Sequence, residues 1–148
     1  MIQGVTRTEG AVTIFHLREN LTPKKVKPFV KKLQDLIDSG RTNVILDLSS
    51  VNEICVMGLV SISSVFNKCR SLHGAFKVCS LTPETRKVFR DTNLINTVEV
   101  FDTALEALKS FHSENLLRSR HFSGSFYIEE KNAFVGWDRL PARNEYVN

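Results

Sequence analysis

The residues most able to do chemistry in this chain of 148 residues are its three cysteines, Cys55, Cys69 and Cys79. Their number is odd and no two form a C-x-x-C pair, which speaks against a disulfide framework and against a zinc site and fits a reducing cytosol. Cys55 has the best case for reactivity. It stands where a helix is predicted to begin, and the positive end of a helix dipole lowers a thiol pKa. No resolving cysteine lies close in sequence, and none of the histidines (His16, His73, His112, His121) falls in a motif that pairs with it. An inert, part-buried thiol is the weightier reading. Asp47 is the best-placed carboxylate, but it belongs to a strand end rather than to an acid–base pair. The chain holds no phosphate loop, metal-ligand spacing or nucleophile elbow. These residues predict a protein without enzymatic chemistry, cofactor or metal.

A second group could carry recognition. Lys24, Lys25, Lys27, Lys31 and Lys32 crowd the beginning of a predicted helix, where positive charge opposes the dipole and costs about a few tenths of a kcal/mol each. An acidic protein surface or an anionic lipid head group would suit such a row, and a solvated helix face is the ordinary alternative. No aromatic residues interleave with the lysines as single-stranded nucleic acid would require, so no specific nucleic acid is expected. The formal net charge of +4 is too small an excess to choose a partner.

These residues need elements to position them. Ala11–Leu17 alternates as a strand, and Glu9-Gly10 can turn a hairpin from Val5–Thr8. Thr22 and Pro23 mark a helix start, with Val26, Phe29, Val30, Leu33, Leu36 and Ile37 at helical spacing. Pro28 conflicts with a continuous helix, so a kink there or a start near Lys27 is expected. Ser39-Gly40 ends it, and Asn43–Leu48 reads as a buried central strand. Leu59, Ile62, Val65, Phe66, Cys69 and Leu72 share one face of a second helix closed by His73-Gly74. Ala75–Cys79 is the next strand. Thr82-Pro83-Glu84 opens a third helix through about Arg90, Val98–Phe101 is a last strand, and Asp102 is expected to cap a fourth helix. The order β-α-β-α-β-α-β-α implies an α/β fold with a small, mixed, mostly parallel sheet and helices mainly on one face.

The stretch Val44–Leu59, VILDLSSVNEICVMGL, resembles the signature of STAS domains, in which a hydrophobic strand ending D-L-S-x-V is followed by a D-S-S-G-L loop. Ser80–Phe89, SLTPETRKVF, resembles the family's Pro-containing turn into a helix. Together these span roughly Ala11 to Phe111. The resemblance implies an anti-sigma factor antagonist. In switchable members an anti-sigma factor that is also a serine kinase binds the module and phosphorylates the first loop serine, adding about −1.5 to −2 charges that release it. Here Cys55 stands for the loop aspartate, Val56 for the phosphorylated serine, Met57 for the second serine and Gly58 for the glycine. No Ser, Thr or Tyr occurs from Val51 through Val60, so the usual switch has nothing to act on. Glu53, Ile54, Cys55, Val56, Met57 and Gly58 are the expected partner-binding loop, with an apolar character suited to a lasting contact. That these side chains instead fold inward is the competing expectation, strongest for Ile54.

Composition, 42% hydrophobic and 24% charged, is that of a globular protein, and no run approaches the ~20 apolar residues that span a bilayer. A STAS-like domain is expected over 1–112 and an extension over 113–148. Within the extension, Glu114–Arg120 could lengthen the last helix and Ser125–Trp137 reads as a hairpin. Its aromatic residues must dock, either on their own sheet or on a second copy to make a homodimer. The leading expectation is a cytoplasmic, constitutive binder or scaffold in bacterial signalling whose partner is an anti-sigma factor, a serine kinase-like protein or a related signalling protein. A cytosolic STAS accessory subunit of a lipid or anion transporter, meeting the membrane only through that partner, is the alternative; an enzyme using Cys55 is a third.

Overall fold

A computed structural model describes the backbone of residues 2–123 and the side chains of residues 2–113. The chain divides into two compact units, Met1–Phe111 and His112–Asn148. The hairpin expected over Ser125–Trp137, and the dimer contact through it, lie outside the described residues.

The first unit opens with the hairpin of β1 (Gly4–Glu9) and β2 (Val12–Leu17), paired antiparallel with Glu9 opposite Val12. Gly10 takes φ +63° in the two-residue turn, a conformation that disfavours a side chain. From β2 onward the chain alternates: α1 (Pro23–Asp38), β3 (Asn43–Asp47), α2 (Val56–Ser71), β4 (Ala75–Cys79), α3 (Pro83–Asp91), β5 (Glu99–Phe101) and α4 (Ala104–Ser123). The sheet order is β1-β2-β3-β4-β5, with every pair after the first parallel. Each parallel strand is added on the same side of the last. Right-handed crossovers therefore put α1, α2 and α3 on one face. Their Phe29, Leu33, Ile62, Val65 and Phe89 share a core with Phe15, Leu46 and Val78 of the sheet. The opposite face, with Val12, Ile14 and Ile45, packs against Ala107 and Phe111 of α4. Lys77 enters this second layer from β4. It is only 1% exposed, its ammonium pairs with Glu99 at 3.0 Å and donates to Ser110 at 2.8 Å, and it lies 4.4 Å from the centre of the Phe111 ring.

Three local features differ from what the sequence predicts. α1 begins at Pro23 and runs through Pro28 as one element. Pro28 deprives only the Lys24 carbonyl of its usual amide, and Lys24 is exposed, where water can serve instead. The fourth helix is capped by Thr103 rather than Asp102: Thr103 Oγ1 accepts the Glu106 amide at 3.1 Å, while Asp102 faces Arg86 at 3.6 Å. At the end of α2 the left-handed position falls to His73 (φ +64°), not to Gly74. Gly74 is required for another reason. Its amide reaches back to the Cys69 carbonyl at 2.8 Å, and a Cβ there would lie 2.1 Å from the Thr42 carbonyl oxygen.

Candidate protein-docking site

The helices α1 and α2 start side by side because the segments before them are tied together. Leu21 and Ile54 form a parallel bridge: the Leu21 amide donates to the Glu53 carbonyl and the Cys55 amide to the Leu21 carbonyl, each at 2.9 Å. Asn20 Oδ1 adds bonds from the amides of Asn52 (2.9 Å) and Glu53 (3.3 Å). The other end of the loop is held from α3, where Thr82 and Thr85 both donate to the Val51 carbonyl, at 2.8 and 2.9 Å. The backbone leading into α2 is thus fixed from two sides by groups remote in sequence.

On this support the expected loop residues separate. Val56 is 73% exposed and Met57 59% exposed, both at the first turn of α2. Glu53 is exposed and Cys55, at the N-cap, is half-buried. Ile54 and Gly58 do not belong to the surface. Ile54, at 9% exposure, is part of the core, because its partnership with Leu21 turns the side chain inward. Gly58 is buried beneath Leu21, and an added Cβ would come within 2.7 Å of Leu21 Cδ2. Val60, 49% exposed, extends the pad although the sequence reading passed over it. Its signal was available, since it lies one turn beyond Val56 and Met57 and off the apolar face of Leu59, Ile62 and Val65.

The lysines divide as well. Lys24, Lys27 and Lys31 are exposed on α1, and Lys25 and Lys32 are half-buried. Lys25 faces Glu19 at 3.4 Å and Lys31 faces Asp35 at 3.3 Å. α2 contains no acidic residue. The remaining candidates are structural. Asp47 Oδ1 accepts the Ser49 amide at 2.9 Å, closing the turn after β3. His16 Nε2 lies 2.9 Å from Ser50 Oγ and 3.2 Å from Ser49 Oγ. Ser61 is buried and donates to the Met57 carbonyl at 2.8 Å. Burial pushes the thiols of Cys69 and Cys79 up to about 11, so both stay protonated at neutral pH. Among the described residues no group of His, Cys, Asp and Glu is placed to hold a metal ion, and no helix is long and apolar enough to cross a membrane.

The family model for the STAS domain matches residues 4–107, which hold this sheet and the helices that cover it. The chain belongs to the STAS domain family. Similar solved structures include a Thermotoga maritima protein assigned as an anti-sigma factor antagonist, with a TM-score of 0.70 and 25% identity over 72% of this chain and 92% of that one. The phosphorylated form of the Bacillus cell fate determinant SpoIIAA shares the fold with a TM-score of 0.60 and 17% identity, over 74% of this chain and 99% of that one. A murine solute carrier 26 family anion transporter shares it too, with a TM-score of 0.58 and 17% identity over 70% of this chain and 18% of that one. No curated protein matches the chain. As a STAS domain resembling anti-sigma factor antagonists, the chain has the frame of a protein-interaction module.

Proposed function

We propose that this STAS domain is a constitutive, non-enzymatic protein-binding module that docks through the start of α2 and cannot be switched at the family's usual loop serine. The observation that carries the reading is the position of Val56 and Met57: outermost at the first turn, without a hydroxyl, in the places of the family's serines. A kinase meeting the first turn of α2 finds no acceptor oxygen among residues 51–60. What it meets is a small apolar pad with an adaptable methionine, which gains from burial against a complementary surface. The partner that fits is an anti-sigma factor, a serine kinase-like protein or a related protein of bacterial signalling. The reading of the chain as a transporter's accessory subunit draws on the lysines of α1, and it predicts binding to anionic lipid.

The test is recovery of partners by the full chain and by Val56→Asp, identified by mass spectrometry. Val56 is exposed, so the aspartate variant stays folded; a carboxylate in the first turn also suits the dipole. It should lose its main partner, because burying an unpaired carboxylate in an apolar contact costs about several kcal/mol. Equal recovery of the same partners by both proteins would show that the start of α2 is not the docking surface.

A further inference from the structure

The parallel bridge between Leu21 and Ile54 does more than anchor a loop: it sets two helices in register. Each bridged residue is followed at once by an N-cap, Thr22 or Cys55, and then by the first helical residue, Pro23 or Val56. α1 joins β2 to β3 and α2 joins β3 to β4, so both run the same way across the sheet, and they pack on each other. Position by position, Lys24 on α1 corresponds to Met57 on α2, Lys27 to Val60 and Lys31 to Ser64. In each helix these residues lie opposite the core residues, Phe29 and Leu33 in α1 and Ile62 and Val65 in α2. The outer surface therefore carries two parallel stripes about 8–10 Å apart, the usual spacing of packed helices. One is cationic, Lys24, Lys27 and Lys31, spanning about 10 Å of helix. The other is uncharged, with apolar Val56, Met57 and Val60 at its start.

We infer that the partner of this surface presents an amphipathic acidic segment, with apolar side chains set on the α2 stripe and carboxylates on one flank meeting Lys24 and Lys27. This rests on the docking role proposed above for the start of α2 and adds the chemistry of what binds there. Charge complementarity supplies the argument. α2 has no acidic residue and neither helix has one in its first turn, so this end of the surface lacks carboxylates of its own on the helices. Lys24 and Lys27 stand where their charge works against α1, a cost that an acidic partner offsets. Lys31 contributes less, because Asp35 already faces it at 3.3 Å. A shaped protein segment suits the surface better than a lipid bilayer. The exposed Glu53 beside the pad and the exposed Asp35 and Asp38 farther along α1 would repel an anionic membrane lying flat across it, whereas a segment with charge on one flank avoids them.

A naive display library of helical peptides, selected on the full chain at moderate salt, tests this without knowledge of the natural partner. Recovered sequences should carry apolar residues at helical spacing, with Asp or Glu concentrated on one flank. Binding of a recovered peptide, read by fluorescence anisotropy, should weaken about tenfold in Lys24→Glu/Lys27→Glu and should fall as salt rises. That variant improves the electrostatics of the start of α1, so an unchanged or higher thermal midpoint separates lost binding from lost folding. Neutral or basic winners, no winners, or winners indifferent to the double variant would overturn the inference. Binding to vesicles of phosphatidylcholine with phosphatidylserine, abolished by the double variant in the absence of acidic winners, would overturn it in favour of a membrane surface. Peptides lost on Val56→Asp but not on Lys24→Glu/Lys27→Glu would defeat the acidic chemistry while leaving the docking site. Peptides indifferent to Val56→Asp would defeat the docking site itself.

Discussion

Replacing Gly58 by alanine asks whether the helix start is held as tightly as its contacts indicate. At an exposed helical position the change stabilises a protein by about 0.8–1 kcal/mol, because glycine loses more backbone freedom on folding. At position 58 the new Cβ would stand 2.7 Å from Leu21 Cδ2, 2.9 Å from Ile54 Cγ2 and 3.0 Å from Leu21 Cγ. Carbon atoms pack best at about 3.5–4.0 Å, so the overlap is about 1 Å against two neighbours. Neither can step aside easily, since Leu21 is fully buried and bonded through its amide and carbonyl to the segment carrying Ile54. Overpacking of this kind costs about 1–3 kcal/mol, leaving a net destabilisation of about 1 kcal/mol after the helical gain. Denaturant unfolding measures it, and the pair Gly58→Ala and Leu21→Ala in a double-mutant cycle assigns it. Once Leu21 is cut back, alanine at 58 should do less harm, because only the contact with Ile54 Cγ2 at 2.9 Å remains, a coupling of about 1 kcal/mol. Strain that moves Leu21 also moves Cys55 and the pad behind it, so the single variant should bind its partner less well. If Gly58→Ala stabilises the otherwise unaltered protein by the full helical increment, or if the two changes simply add, the close packing of Leu21 on α2 is misread.

The other predictions concern the two core layers. Lys77→Ala should cost about 2–3 kcal/mol in denaturant unfolding, since it empties a site in the second layer and strips a partner from Ser110, whereas Lys77→Met keeps the stem and should stay within about 1 kcal/mol of the parent. Equal losses would mean that charge, not packing, holds that site. The thiols of Cys69 and Cys79 are raised in the folded state from an ordinary 9.0 to about 11, so between these values the folded chain binds more protons than the unfolded one. Their contribution is therefore complete below pH 9 and fades as pH climbs toward 11. Unfolding midpoints should drop across that window, and less so in Cys69→Ala/Cys79→Ala. A thiol reagent at pH 8 should modify Cys55, which is half-buried, before the other two, whose labelling should await unfolding. Rapid native labelling of all three would contradict the burial.

How much could be read without coordinates depended on the range of the forces involved. Element order follows from local patterning, and so the alternation of strands and helices was legible, as was the STAS signature around Asp47 and Gly58. Local rules also misassigned some roles. Asp102 and Thr103 are both acceptable caps, and Thr103, three residues before Glu106 in the spacing of a capping box, is the one whose hydroxyl accepts the Glu106 amide. His73-Gly74 does close α2, yet the close passage of Thr42, from another part of the chain, is what excludes a side chain at Gly74.

The sequence alone determined that residues 51–60 offer no hydroxyl to a kinase, because residue chemistry does not depend on folding. It also placed lysines in excess at the start of α1 and apolar residues at the start of α2. Which of those apolar residues face outward was a tertiary decision. Leu21, more than thirty residues earlier, bridges to Ile54 and lies over Gly58, drawing both inward and leaving Val56, Met57 and Val60 outside. The same bridge brings the lysine stripe alongside the apolar one. Neither helix encodes that register by itself, because it arises from backbone hydrogen bonds between segments that meet only when the sheet assembles.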